Sequence, residues 1–243
     1  MMPNEIIFLL VLFTIALLYS SVGHGGASGY LALMALFSFS PSEMRYTALI
    51  LNIIVASLAF INYYHKGFFK WSLFWPFAIG SIPFAFIGGY IQLEDHFYKK
   101  IIGFVLILSV LKILIPIKNL DSIRSQNIVL SIAIGAIIGI ISGMIGIGGG
   151  IILSPVILIL HWANVKEAAA TSALFIVFNS IAGIAGIDST SIVFNHPILP
   201  ICCIALLGGW LGSFLGAYKI ERNKLQVVLS AVIMFAALKL LWN

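Results

Sequence analysis

Two stretches decide how this chain folds: SSVGHGGASG, residues Ser20 to Gly29, and SGMIGIGGG, residues Ser142 to Gly150. Each interrupts a long apolar run with glycine and serine, and the first also carries His24. At an offset of 123, Gly23, Gly25 and Gly26 fall on Gly146, Gly148 and Gly149. At an offset of 124, SPSEMRYT (40–47) falls on NVKEAAAT (164–171), pairing Ser40 with Asn164, Glu43 with Glu167 and Thr47 with Thr171. By an offset of 128 the match runs through Gly80 with Gly208, Gly88 with Gly216 and Tyr90 with Tyr218. A chain that repeats weakly over half its length carries two copies of one unit, as many transporters do.

The surroundings of these stretches set their solvent. Of 243 residues, 61% are hydrophobic and 9% charged, and the mean hydropathy is +1.13. Soluble domains carry about 25% charged residues. Runs such as IIFLLVLFTIALLY and YTALILNIIVASLAFI have no charge, and about 20 apolar residues cross a bilayer core of ~30 Å. The expected class is therefore an all-α integral membrane protein in one membrane domain, 1–243. Its first repeat spans 1–117 and its second 127–243, joined by a cytoplasmic linker at 118–126. The opening MMPNEIIFLL lacks a basic start and a small-residue cleavage pattern, so it reads as a retained helix. The formal charge of +5 suits loops that face anionic lipid and gives no reason to expect a nucleic-acid partner. Adjacent Cys202 and Cys203 do not make the C-x-x-C spacing of a thiol carrier and read as packing residues.

The pattern predicts helices over 5–22, 26–38, 45–63, 72–91, 98–116, 127–145, 150–161, 166–186, 197–218 and 223–242. Those at 26–38 and 150–161 are too short to cross the core unaided, and each follows a glycine cluster. Ser40-Pro41-Ser42-Glu43 reads as a capping box with proline at the first helical position, and Asn164 to Glu167 nearly repeats it. Glu43 and Glu167 are read first as caps and second as proton carriers.

Positive charge orients the chain. If it turns back at each glycine cluster, Lys66, Lys70, Lys112, Lys118, Arg124, Lys166, Lys219, Arg222 and Lys224 share one side, against Arg45, Lys99, Lys100 and Lys239. If each cluster is only a kink, the split is six against seven. The first arrangement gives an orientation and the second gives none. Under it the second half enters the membrane upside down. The expected fold is two inverted-topology repeats, each with a Gly-rich break before a short half-helix plus three or four full spans, eight to ten helical segments in all. Both termini are then external.

The breaks are also where chemistry belongs. Free backbone N–H groups and the positive end of a short helix point into each turn, and consecutive glycines permit an anion-wrapping nest. Non-helical backbone at membrane depth needs protein or a wet cavity beside it. The candidate substrate-binding residues are Ser20, Ser21, Gly23, His24, Gly25, Gly26 and Ser28 in the first half, with Thr47 and Asn52 on the helix that follows. In the second half they are Ser142, Gly146, Gly148, Gly149 and Gly150, with Thr171, Ser172 and Asn179. Each glycine has a packing role as its alternative, and each asparagine a helix-to-helix hydrogen bond. His24, whose equivalent is Ile147, is the candidate for proton coupling or direct anion contact, or else a neutral residue satisfied by a carbonyl.

The motifs SSVGHGGASGYLALMAL, SGMIGIGGGIILSPVIL, TSALFIVFNSIAG and GSFLGAYKIERNKLQ together resemble the sulfite exporter TauE/SafE family over nearly the whole chain. The resemblance implies a bacterial inner-membrane carrier for small anions such as sulfite, thiosulfate, organosulfonates or small carboxylates. The first cluster departs from a plainer glycine run at His24 and Ala27. The expected function is secondary transport of such an anion around a mid-membrane Gly-rich site by alternating access, with a channel-like anion pathway as the alternative. An enzyme is disfavoured, since no metal-ligand cluster, paired carboxylates or Cys nucleophile with a base appears within the spans. No catalytic residue, metal or cofactor is expected. The partners are the small anion and the bilayer, and the sequence leaves a homo-oligomer open.

Overall fold

The computed structural model describes residues 3–21, 25–114, 123–188, 194–215 and 233–242. Over these the chain is helical, with no strand among the described residues. The elements are α1 (Pro3–Ser21), α2 (Ala27–Leu36), α3 (Pro41–His65), α4 (Trp71–Tyr90), α5 (Asp95–Leu114), α6 (Ile128–Ile145), α7 (Gly150–Ile159), α8 (Val165–Gly186) and α9 (Ile198–Leu215). A tenth, α10, runs over Ile233–Trp242. All ten coincide with the expected segments; the part of the last expected helix before residue 233 lies outside the described residues, as does most of the 118–126 linker.

Among the described residues, four helices are long and apolar enough to span a membrane: α3, α4, α6 and α8. Their outward surfaces, with those of α1, α5 and α9, expose Leu10, Ile79, Phe104, Ile137, Leu199 and Phe214. So much exposed apolar surface is tolerable only against lipid. The molecule is a multi-pass membrane protein.

Glycine sets how closely the spans approach. On α6, Gly135, Gly139 and Gly143 repeat every four residues, and a Cβ on each would overlap the carbonyl of Phe77, Ser81 and Ala85 on α4. Gly80 and Gly88 of α4 answer with the carbonyls of Ile132 and Ile140. Such small-residue faces drive helix association where lipid removes the hydrophobic incentive. The same device joins α9 to α1, where Gly208 and Gly212 lie on the carbonyls of Phe13 and Leu17. In repeat register α4 and α6 correspond to α9 and α1, so one packing solution is used twice.

The duplication extends to single hydrogen bonds. α2 and α7 each have ten residues, at an offset of 123, and at 1.5 Å per residue each is only about 15 Å long. Each follows a glycine in the left-handed region, Gly26 at φ +87° and Gly149 at φ +79°. Each ends in the same tight motif: Phe39 N–H donates to the Met34 carbonyl and Ser38 N–H to that of Ala35, as Trp162 does to Ile157 and His161 to Leu158. The residue that turns the chain is left-handed in both, Ser38 at φ +61° and His161 at φ +60°. This is the Schellman pattern with serine and histidine where glycine is usual.

Helix α3 begins at Pro41, four residues before the expected start of 45, because Ser40 caps it by accepting a hydrogen bond from Glu43 N–H at 3.4 Å. The two capping boxes are not equal. The second is complete: Asn164 Oδ1 accepts from Glu167 N–H at 3.0 Å, and Glu167 Oε2 accepts from Asn164 N–H at 3.2 Å. The first is half-formed, since the Glu43 carboxylate turns away to His196.

Candidate functional site

Among the described parts of the two glycine clusters, Gly25 and Gly148 meet on one side chain. A Cβ on Gly25 would stand 3.0 Å from Asn52 Oδ1, and one on Gly148 would stand 3.0 Å from Asn52 Nδ2. Ile176 of α8, the residue matched to Asn52 at an offset of 124, touches Gly25, Gly148 and Gly150 in the same way. Thus α3 and α8, the two helices that follow the hairpins, each send one side chain between the turns.

The turns use backbone conformations that glycine adopts readily. Gly26, Gly146, Gly148 and Gly149 all have left-handed φ, between +69° and +89°, a region that costs other L-residues about 1 kcal/mol or more. Gly146 ends α6, and Gly149 opens α7 with no side-chain cap. The first N–H groups of α7 thus have no cap within their helix, and the same holds for α2 after Gly26.

The polar side chains around the turns are buried and under-used. Thr47, Asn52, Ser142, Thr171, Ser172 and Asn179 are at most 1% exposed. Among the described residues, Asn52 Oδ1, Ser142 Oγ, Thr171 Oγ1, Asn179 Oδ1 and Ser180 Oγ have no hydrogen-bond partner. A buried polar atom left unpartnered costs about 1–3 kcal/mol, and of these Asn52 Oδ1 and Ser180 Oγ lie against the glycine turns.

The other expected residues divide. Asn52 Nδ2 donates to the Gly146 carbonyl at a long 3.4 Å, and Asn179 Nδ2 donates within its own helix to Phe175 at 2.9 Å. Ser20 Oγ donates to the Gly209 carbonyl at 2.7 Å, tying α1 to α9, and Ser28 pairs with Tyr19 at 2.6 Å. Ser172 accepts from Ser154 at 2.7 Å, joining α8 to α7. Gly23, His24 and the side chain of Ser21 lie outside the described residues.

Three residues at the site carried no expectation. Ser180 Oγ would stand 3.2 Å from a Cβ on Gly148; the signal was a second polar residue directly after Asn179. Tyr30, fully buried with its hydroxyl unpartnered among the described residues, lies against Gly26. Arg45, counted above only as a loop charge, is 7% exposed, and its Cγ would lie 3.3 Å from a Cβ on Gly146. Its guanidinium donates to the carbonyls of Gly143 (2.8 Å), Gly88 (2.6 Å), Gly89 (2.6 Å) and Ile91 (3.0 Å). It gathers the ends of α4 and α6, where the helix dipoles are negative. Beside it Tyr98 of α5 donates to the Ile145 carbonyl at 3.0 Å.

A cavity of about 340 Å³ lined by Lys70, Ser72, Leu73, Trp75, Gln126, Ile128 and Trp162 lies at the start of α4 and α6, and none of these is a glycine-turn residue. No group of His, Cys, Asp and Glu among the described residues is arranged to hold a metal ion.

Paired helix breaks that meet on a buried asparagine in a multi-pass helical membrane protein are a feature found in membrane transporters. The comparisons agree. The sulfite exporter TauE/SafE family profile matches residues 7–240, and the chain belongs to that family. A probable membrane transporter protein of Sinorhizobium fredii is 35% identical over 95% of this chain and 95% of its own length. A probable membrane transporter protein of Bacillus subtilis is 25% identical over 90% of this chain and 92% of its own. One of Methanocaldococcus jannaschii is 27% identical over 68% and 66%. No solved structure gives a significant match.

Proposed function

We propose that this chain is a secondary transporter of a small anion, of the sulfite, thiosulfate, organosulfonate or small carboxylate kind, that works by alternating access. The observation that carries the reading is the meeting of Gly25 and Gly148, from turns half a chain apart, on Asn52. Backbone N–H groups at the uncapped starts of α2 and α7, with the hydroxyls of Thr171, Ser142 and Ser180, supply donors to an oxyanion without a dedicated cation. Arg45, held by carbonyls and without a carboxylate partner among the described residues, adds positive potential beside the second turn.

The two halves are inverted repeats in this reading, and the reuse of one packing scheme by α4 with α6 and α9 with α1 supports it. The membrane is a bacterial inner membrane, both termini are external, and the Lys66, Lys70 and Arg124 side is cytoplasmic. His24 remains a candidate for the coupling proton. Export of an anion is aided by an inside-negative potential, at ~2.3 kcal/mol per charge per 100 mV, whereas import needs a coupled cation.

The test is a thermal-shift screen of the purified protein against sulfite, thiosulfate, sulfate, sulfoacetate and small carboxylates, followed by counterflow in vesicles with whichever anion binds. Stabilisation by one anion class together with counterflow is the expected outcome. No response to any anion would sink the reading, and conductance far above carrier turnover would favour a channel.

A further inference from the structure

The two capping glutamates are equivalent in the repeat, yet they have different partners. Glu167, at the start of α8, completes its cap with one oxygen and with the other meets Lys70, which immediately precedes α4, at 2.7 Å. Glu43, at the start of α3, meets His196, two residues before α9, and does not close its own cap. Because α4 and α9 correspond, these are the same cross-repeat contact made twice. In one the cation is a lysine, charged throughout the physiological range. In the other it is a histidine, the side chain that switches charge near neutrality.

The Glu43 carboxylate is unevenly satisfied. Its Oε1 accepts from His196 N–H at 3.0 Å and faces the ring Nδ1 at 3.1 Å. Its Oε2 is buried with no hydrogen-bond partner among the described residues. The Glu43 side chain is 1% exposed and that of His196 36%, so the imidazole is the side open to solvent. The ring is held flat against Phe39, at 3.7 Å and 7°, and Phe39 is stacked in turn on Phe8 of α1 at 5.3 Å and 17°. The pair thereby ties the α2–α3 hairpin of one repeat to the entry of α9 in the other. Nine residues further along α3 lies Asn52, about 13 Å deeper at 1.5 Å per residue.

We propose that Glu43 and His196 form a proton-binding site that latches one end of the transport path: closed when the proton is bound, released when it leaves. This rests on the alternating-access reading above. The proton enters from solvent onto His196 Nε2, forming one N–H bond. The imidazolium then donates from Nδ1 to Glu43 Oε1 in a charge-assisted bond, and the buried pair is neutral. Loss of that proton leaves a buried carboxylate facing only neutral donors, a costly state that opening to water relieves. Lys70 with Glu167 makes the corresponding contact at the opposite hairpin with a permanently charged partner, so only one of the two cross-repeat contacts answers to protons.

Other charged groups on the surrounding elements are accounted for as follows. Lys239 of α10 donates to the carbonyls of Ala35 and Leu36 at the end of α2. Arg45 is spent on the ends of α4 and α6. Glu5 lies one turn before Phe8 on α1, Lys99 and Lys100 are on α5, and Asp188 ends the segment after α8.

The test places a cysteine at Thr47→Cys, one turn below Glu43 on α3, in full-length protein carrying Cys202→Ser and Cys203→Ser in lipid vesicles. The rate of modification by a hydrophilic maleimide is divided by the rate in the same protein with His196→Gln, at each pH, so that the thiol's own ionisation cancels. The ratio is expected to rise about tenfold between about pH 5.5 and about pH 8.5. In His196→Lys, where the cation is permanent, Thr47→Cys is expected to stay protected at the alkaline end, and Lys70→Gln should leave the pH profile unchanged. A flat ratio, or a His196→Lys protein that labels as fast as the histidine parent at alkaline pH, would overturn the latch. The labelling needs no anion. Labelling that behaves as expected, with no anion response from the protein that keeps Thr47, supports proton-dependent opening at this end and rejects the transport reading, while anion counterflow by that protein with flat labelling rejects the latch alone.

Discussion

Gly148, at φ +69°, would bring a Cβ within 3.0 Å of Asn52 Nδ2 and 3.2 Å of Ser180 Oγ. Gly148→Ala therefore meets both backbone strain and a filled site, and should cost ~1–2 kcal/mol and abolish the anion-dependent thermal shift. Gly67 is the control: at φ +74° it has nothing within 4 Å of a Cβ, so Gly67→Ala should cost only the backbone term of about 1 kcal/mol and keep the shift. Equal loss of ligand response in both would show that the turns act only through folding. Arg45 makes a different demand. Arg45→Met retains the buried stem but strands carbonyls at the ends of α4 and α6, and thermal unfolding in detergent should fall by ~2–3 kcal/mol.

At the scale of elements, the close contact of α4 and α6 depends on the glycines that meet carbonyls across it. Gly139→Leu must push Ser81 aside and is expected to cost ~3 kcal/mol or more, beyond ordinary overpacking because the obstacle is backbone. Gly212→Leu should do the same between α9 and α1, where it meets Leu17. The measurement is the fraction of monodisperse protein after extraction; normal yields from both variants would refute glycine-mediated packing. The caps should behave unequally. Asn164→Ala removes two good acceptor contacts at 3.0 Å and should cost about 1 kcal/mol. Ser40→Ala removes one long contact of 3.4 Å and should cost less.

For the whole molecule, the prediction concerns orientation. With reversal at each glycine cluster, the basic residues divide nine to four, and the side carrying Lys66, Lys70 and Arg124 is expected inside. A reporter fused after Asn243 should then read external, and one inserted at Gly67 cytoplasmic. Both reporters on the same side would defeat the inverted arrangement. The bilayer also explains why so many large apolar side chains face outward: lipid, unlike water, imposes no cost on them.

The sequence by itself determined the class and the helical segments, because each is a local or additive property. Apolar run length sets a span, and glycine, proline and capping residues set its ends. Even the two short helices were legible, since a cluster of glycines cannot continue a helix without cost. What only the tertiary structure decided was which polar atoms lack partners and which residues meet across the repeats. Ser20 and Ser28 looked like Thr171 in composition and position, yet they bond to Gly209 and Tyr19. Glu43 and Glu167 looked like twin caps, yet one found a histidine 153 residues away. Such choices depend on the approach of distant helices, set by glycine-to-carbonyl contacts between α4 and α6 and between α1 and α9, and no spacing within a single segment encodes them.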